Sequence, residues 1–291
     1  MDQLLIRELL ARYKLEPSVR DVFVEGKFDR DILRWYLRIA GLTNVSVQRT
    51  DLIHIPAELV ISHVLNTGEK GRVVALAREL ESGMGNAKKC ASVTCVVDAD
   101  CDRILGRELD CDLLFLTDYT CFEMYFADEL NMSKFFQIVL GMEGEPVVAK
   151  LLEQYAAILR ELFLIRAACE ALNLAVGWID FTSFCKRSQG ELIFYKVEFV
   201  RHLLQASSLF DKRDGLMSKA EELRPQLQSD IRHSMNGHDF VALLSFDNRG
   251  LANKRGLRSN DAIAASMRAG LEFGQLKQES LFKMIETRVA S

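Results

Sequence analysis

No stretch of this sequence approaches the roughly 20 consecutive apolar residues that a membrane-spanning helix requires. The N-terminal MDQLLIRELLARYKLEP has no basic segment leading into an apolar core, so it does not read as a secretory signal. It reads as a short amphipathic helix stopped before Pro17. Cysteine is present without pattern: seven residues, an odd number, at 90, 95, 101, 111, 121, 169 and 185, and no C-x-x-C pair. A disulfide framework and a zinc site are therefore not expected, and a reducing cytoplasm is the expected setting. Positive charge is not in excess: 37 Lys and Arg face 41 Asp and Glu, a formal net charge of −4. That disfavours a protein that coats nucleic acid non-specifically. It leaves room for a nuclease, in which a metal site and a local basic patch do the work. The sequence shows no Walker A motif, no internal repeat and no low-complexity segment. Its 291 residues suffice for one large domain or two modest ones.

What is present centres on residues 93–105, VTCVVDADCDRIL. Five apolar or β-branched residues are followed by Asp98, Asp100 and Asp102 on alternate positions. A short apolar run bounded by acids reads as a buried parallel strand. Alternate positions at its end point the same way. Carboxylates crowded on one face repel unless a cation lies between them, and hard oxygen ligands suit Mg²⁺ or Mn²⁺. A solvated loop or a helix cap would also supply acids after a strand, so the metal reading needs a partner elsewhere in the chain.

A partner precedes it. Residues 21–26, DVFVEG, read as a strand ending in Glu25, with Gly26 allowing a tight turn. Asp29 is a fair N-cap for the following helix, DILRWYLRIA at 31–40, which Gly41 ends. NVSVQ at 45–49 is a second strand. Helices are expected at about 57–66 and 71–81, with Gly83 and Gly85 marking the next turn, and a further strand at LLFLT, 113–117. Strand, helix and strand in alternation predict an α/β fold, with a mostly parallel sheet flanked by helices. In such sheets the ligand crevice lies at the carboxyl ends of the strands. If the first strand and the acidic strand share that sheet, Glu25, Asp98 and Asp100 meet at one edge. Such a cluster holds one or two divalent cations, as phosphodiester chemistry requires.

The segments VFVEGKFDRDIL and VTCVVDADCDRI resemble the two signatures of the TOPRIM domain, shared by topoisomerases, DnaG-type primases and OLD-family nucleases: a glutamate after the first strand and a D-x-D after a later one, both near Mg²⁺. TDYTCFEMY, at 117–125, resembles a motif of a narrower group, the AriB-like nuclease subunits of the PARIS anti-phage defence system. The resemblance covers residues 20–130 well and extends more loosely to GHDF at 237–240. It implies that Glu25 is a metal ligand or general base and that Asp98 and Asp100 are metal ligands. It also implies that Glu123 completes the site and that Asp29 and Asp102 stand behind or within it. It further implies a toxic nuclease that attacks RNA, with tRNA the target class, held inactive by a separate ABC-type ATPase. By likeness to the OLD group it implies a homodimer. No tyrosine is singled out for strand passage, and no primase module is visible.

Other features are ambiguous. Lys27, two residues after Glu25, is placed to meet a phosphate. NRGLANKRGLRSN at 248–260, with Lys254, Arg255 and Arg258, is either a phosphate-holding loop or a solvated turn. Lys186 and Arg187 form a smaller basic spot of the same kind. Glu123, among Phe122, Tyr125 and Phe126, either faces solvent or has a metal or cationic partner. His238 is a ligand, a base or a structural hydrogen-bonder. From about residue 130 helical periodicity takes over, clearest at 147–173, and strand signals fade. Further helices are expected at about 191–207, 216–234, 237–246 and 259–273. The expectation is an N-terminal TOPRIM-like metal-binding nuclease domain, 1–130. A mainly helical domain, 131–291, would then serve substrate binding, dimerisation or partner contact. The alternative is a non-catalytic TOPRIM-like module that binds an ATPase partner or nucleic acid.

Overall fold

Four apolar segments pair into the sheet that organises the N-terminal half. The computed structural model describes residues 3–62, 68–84, 93–142, 146–251, 255–257 and 259–290. By contacts these divide into two compact units. One comprises Met1–Ala99, Glu108–Phe122 and Glu272–Ser291, and the other Asp100–Arg107 and Glu123–Leu271.

The first unit opens with β1 (Leu4–Leu5) and α1 (Ile6–Leu15). Next come β2 (Arg20–Val24), α2 (Lys27–Ile39) and β3 (Val45–Arg49). A short strand β4 (Ile53–His54) pairs with β1 in parallel. Helices α3 (Ala57–Ser62) and α4 (Glu69–Met84) lead to β5 (Val93–Val97) and β6 (Leu114–Leu116). The main sheet runs β3-β2-β5-β6, every pair parallel. The expected α/β architecture, a parallel sheet flanked by helices, is thus present.

Burial explains why these segments are strands. Every residue of β5 is buried, as the unbroken apolar run required. Phe23, Val93, Cys95 and Val97 pack on one face against Leu9 and Tyr13 of α1 and Val73, Ala77 and Leu80 of α4. Each Val, Leu or Phe among them contributes roughly 1.5–3 kcal/mol when fully buried. On α2, Ile32, Leu33, Tyr36 and Leu37 are buried. Tyr36 packs on Phe273 and Phe282, with ring centroids 5.0 and 4.6 Å apart, and its hydroxyl donates to Glu286 at 2.6 Å. The last two rings and Glu286 belong to the terminal segment Glu272–Ser291, which returns to this unit.

Two local expectations need correction. α2 begins at Lys27, with Gly26 as its N-cap, so Asp29 is the third helical residue and not the cap. From there its Oδ2 reaches back to accept the Gly26 N–H at 2.8 Å, satisfying a donor that the helix start leaves open. Gly83 is no turn: α4 runs on to Met84. A Cβ at Gly83 would stand 2.5 Å from Leu10 Cδ1, so glycine here permits the close approach of α4 to α1.

The second unit is mostly helical. It holds α5 (Glu129–Lys134), followed by a wide π turn at Phe135–Val139, and the 26-residue α6 (Pro146–Ala171). A two-stranded antiparallel hairpin follows, β7 (Cys185–Ser188) and β8 (Glu191–Phe194). The unit continues with α7 (Lys196–Ala206), α8 (Arg213–Leu223), α9 (Gly237–Leu251) and α10 (Asn260–Gly270). Ser259 caps α10, its hydroxyl accepting the Ala262 N–H at 3.2 Å. The hairpin corrects the expectation that strands end near residue 130. It turns through Gln189 and Gly190, both with positive φ (52° and 82°), the arrangement that suits a two-residue hairpin loop. It also takes residues 191–194 out of the helix expected from 191. α11 (Phe273–Leu276) and α12 (Ser280–Ala290) complete the first unit. Among the described residues no helix is long and apolar enough to cross a membrane.

Candidate functional site

The strand order creates the site. From β2 the chain passes to β3 on one side, then crosses back to place β5 on the other side of β2. Between β2 and β5 the connections depart in opposite directions, which in a parallel sheet opens a crevice at the carboxyl ends of those two strands. Glu25 is the first residue after β2, and Asp98 is the first after β5. The Asp98 backbone N–H donates to Glu25 Oε1 at 2.8 Å. Two acids 73 positions apart in sequence are therefore joined at the switch point, and the orientation of the Glu25 carboxylate is fixed by the neighbouring strand's backbone. Both side chains are half-buried.

The segment after β5 is held from the next strand. Thr117, the residue after β6, donates its backbone N–H to the Val97 carbonyl at 3.0 Å. Its buried hydroxyl accepts the Ala99 N–H at 3.0 Å and donates to the Tyr119 carbonyl at 2.7 Å. The Tyr119 hydroxyl in turn donates to Glu279, at 3.0 and 3.1 Å to the two carboxylate oxygens. Asp118 accepts the Leu281 N–H at the start of α12. Sequence reasoning missed these supports. A single Thr closing an apolar run carries no distinguishing signal, and Glu279 lies far away in sequence.

The other expected residues are placed as follows. Asp100 follows Asp98 by two positions and has φ 42°, a left-handed backbone that Asp tolerates better than most residues. Asp102 is buried and lies 3.8 Å from the Arg107 guanidinium, which also reaches Glu170 at 3.3 Å. Glu123 is half-buried in a 3₁₀ turn, Phe122–Phe126. These three acids belong to the second unit. Lys27 is exposed, at the first position of α2. Arg255 opens a short 3₁₀ turn, Arg255–Leu257, while Lys254 and Arg258 lie outside the described residues. His238 is exposed at the start of α9, and its neighbour Asp239 takes two 2.7 Å hydrogen bonds from Arg166. Arg187 is turned inward onto buried Asp247, which also accepts the Tyr155 hydroxyl at 2.7 Å. It is thus a structural ion-pair partner.

Among the described residues, no group of three or more His, Cys, Asp or Glu side chains is gathered closely enough to hold a metal ion. The pair Glu25 and Asp98 nevertheless fits Mg²⁺ by chemistry. That ion takes hard oxygen donors and is commonly bound by one or two carboxylates, with waters and substrate phosphates filling the rest of its shell. No protein-family model matches this sequence, and no curated protein matches it.

Proposed function

We propose that this chain is a Mg²⁺- or Mn²⁺-dependent nuclease whose working edge is the switch point between β2 and β5. One observation carries the proposal: Glu25 and Asp98, each the first residue beyond its strand, are joined by the 2.8 Å hydrogen bond at the crevice where α/β sheets bind ligands. A divalent ion bound there supplies charge stabilisation at phosphate oxygens and a water of lowered pKa. The carboxylates of Glu25 and Asp98 would hold it. Glu25 has a second task, accepting the proton of the attacking water on its carboxylate as the phosphorus–oxygen bond to the leaving group breaks. The Asp98 amide keeps that carboxylate from rotating away. Lys27, exposed at the start of α2, meets a phosphate of the substrate.

The likeness to TOPRIM nucleases extends the proposal. The chain would act as the toxic effector of an anti-phage system, cleave RNA of the tRNA class, and be held inactive by an ABC-type ATPase until triggered. Expressed alone in bacteria, the chain should arrest growth, and Glu25→Ala should not. Equal growth of the two strains would count against a toxic nuclease.

A second reading is a TOPRIM-like module that binds an ATPase or nucleic acid without cutting. The Asp102–Arg107 ion pair favours it, because one candidate ligand is already matched by a cation. Against it stands the placement of Glu25 and Asp98, each the first residue beyond one of two neighbouring strands, at the crevice where a cation and a phosphate can enter.

A further inference from the structure

α2 starts immediately beyond the proposed working edge, and positive charge predominates on its outward face. At 100° per residue, Lys27, Arg30, Arg34 and Arg38 fall within an arc of about 80°. The centre of that arc lies about 130° around the helix from the centre of the buried face of Ile32, Leu33, Tyr36 and Leu37. Lys27, Arg34 and Arg38 are exposed, and Arg30 is half-buried. Asp31 borders the arc, about 20° beyond Arg38, and pairs with Arg30 at 2.9 Å. A solvated helix face in a chain of net charge −4 would be expected to mix its signs more evenly. Asp29, the other acid of the helix, is buried and turned back onto the Gly26 amide.

The face is also held rigidly. Arg34 Nε donates to the Val47 carbonyl of edge strand β3 at 2.9 Å. Tyr36 is locked from behind by Phe273, Phe282 and Glu286. Successive cations, three or four residues apart, advance about 4.5–6 Å along the helix, and its 13 residues span about 20 Å. We propose that this row is a track for the sugar–phosphate backbone of a nucleic acid, leading it to Glu25 and Asp98. The choice of ligand rests on the nuclease reading above. Cations in line lower the cost of bringing several phosphates to one surface, and the gain comes largely from released counterions, whatever the base sequence.

The test is fluorescence anisotropy with the full chain, in EDTA so that no strand is cut. Probes are a labelled single-stranded RNA, a labelled duplex DNA and labelled poly-glutamate, each titrated from low to physiological salt. Arg30→Gln with Arg38→Gln should weaken binding of a nucleic acid probe regardless of its sequence. The slope of log affinity against log salt should flatten by roughly 1.4 for a single strand, or roughly 1.8 for a duplex, two phosphate contacts being lost. Arg30→Lys with Arg38→Lys should retain most of the affinity, which separates charge from folding. The probe that shows the change identifies RNA or DNA as the ligand. An unchanged slope in the Gln variant would overturn the proposal. So would a wild-type chain that binds neither nucleic acid, or poly-glutamate bound with the same dependence on these arginines. The arms are independent of cleavage. A chain that binds RNA through α2 but never cuts it would refute the nuclease and leave the track standing.

Discussion

The Ala99 amide donates to the Thr117 hydroxyl at 3.0 Å, tying the residue between Asp98 and Asp100 to the end of the neighbouring strand. Thr117 also donates onward to the Tyr119 carbonyl, and no water can replace either bond because the side chain is fully buried. Thr117→Val keeps the shape and removes both bonds. It should cost about 1–3 kcal/mol of stability and lower metal affinity by roughly 10–100-fold, as loss of ligand support commonly does. Thr117→Ser should restore most of both. Metal titration beside urea unfolding checks this; a loss of stability with metal affinity unchanged would make Thr117 structural only.

Asp100 offers a test of the backbone. Its φ of 42° is one that glycine adopts without penalty. Asp100→Gly relieves the backbone while Asp100→Ala does not, so the Gly variant should be the more stable of the two by about 1 kcal/mol. Urea unfolding of the two variants checks this; a Gly variant no more stable than the Ala variant would contradict it.

Much of this edge was legible in sequence, and the reasons are physical. β2 and β5 announce themselves as apolar runs rich in β-branched residues, and Glu25 and Asp98 interrupt those runs where a strand must end. What joins them was not legible, because pairing of β2 with β5 is a contact across some seventy residues and the 2.8 Å bond is made by a backbone amide. The return of Glu279 and Glu286 to the first unit is longer-range still. The β7–β8 hairpin escaped notice because β7, CKRS, is short and polar, while the apolar Leu192–Phe194 of β8 leads straight into α7 and reads as the start of that helix. Asp29 and Gly83 misled for a common reason: residues that cap or break helices in isolation also serve inside them when a neighbour requires it.

Asp21 offers a pH test of the first unit. Its carboxylate is buried on β2 and accepts the Tyr13 hydroxyl at 3.0 Å and Arg12 at 3.2 Å. Burial pushes its pKa above the ordinary 3.8 by more than Tyr13 and Arg12 pull it down. A raised pKa means the folded state prefers the protonated acid. The group's stabilising contribution is therefore full below 3.8 and lost as pH rises through the higher folded value. Relative to Asp21→Asn, wild type should lose stability on raising pH through the acid range and hold a constant difference beyond it. Urea unfolding at stepped pH reads this directly, and a difference that does not vary with pH would contradict it.

In the second unit, Asp247 takes an ion pair from Arg187 and a 2.7 Å hydrogen bond from Tyr155, with its own side chain fully buried. Asp247→Ala strands the guanidinium and should cost about 3–5 kcal/mol. Denaturant unfolding of the full chain checks the size; a cost under 1 kcal/mol would mean that water reaches Arg187 freely.

The central claim is that Glu25 and Asp98 together form a metal-dependent cutting edge, and a cleavage assay tests it most directly. Labelled tRNA and plasmid DNA would be incubated with the purified chain in Mg²⁺, in Mn²⁺ and in EDTA, beside Glu25→Gln. The account expects cutting in either metal, none in EDTA, and a loss of at least roughly a hundredfold in the variant, with its unfolding midpoint unchanged. Cutting that persists in EDTA, or that Glu25→Gln leaves intact, would contradict it.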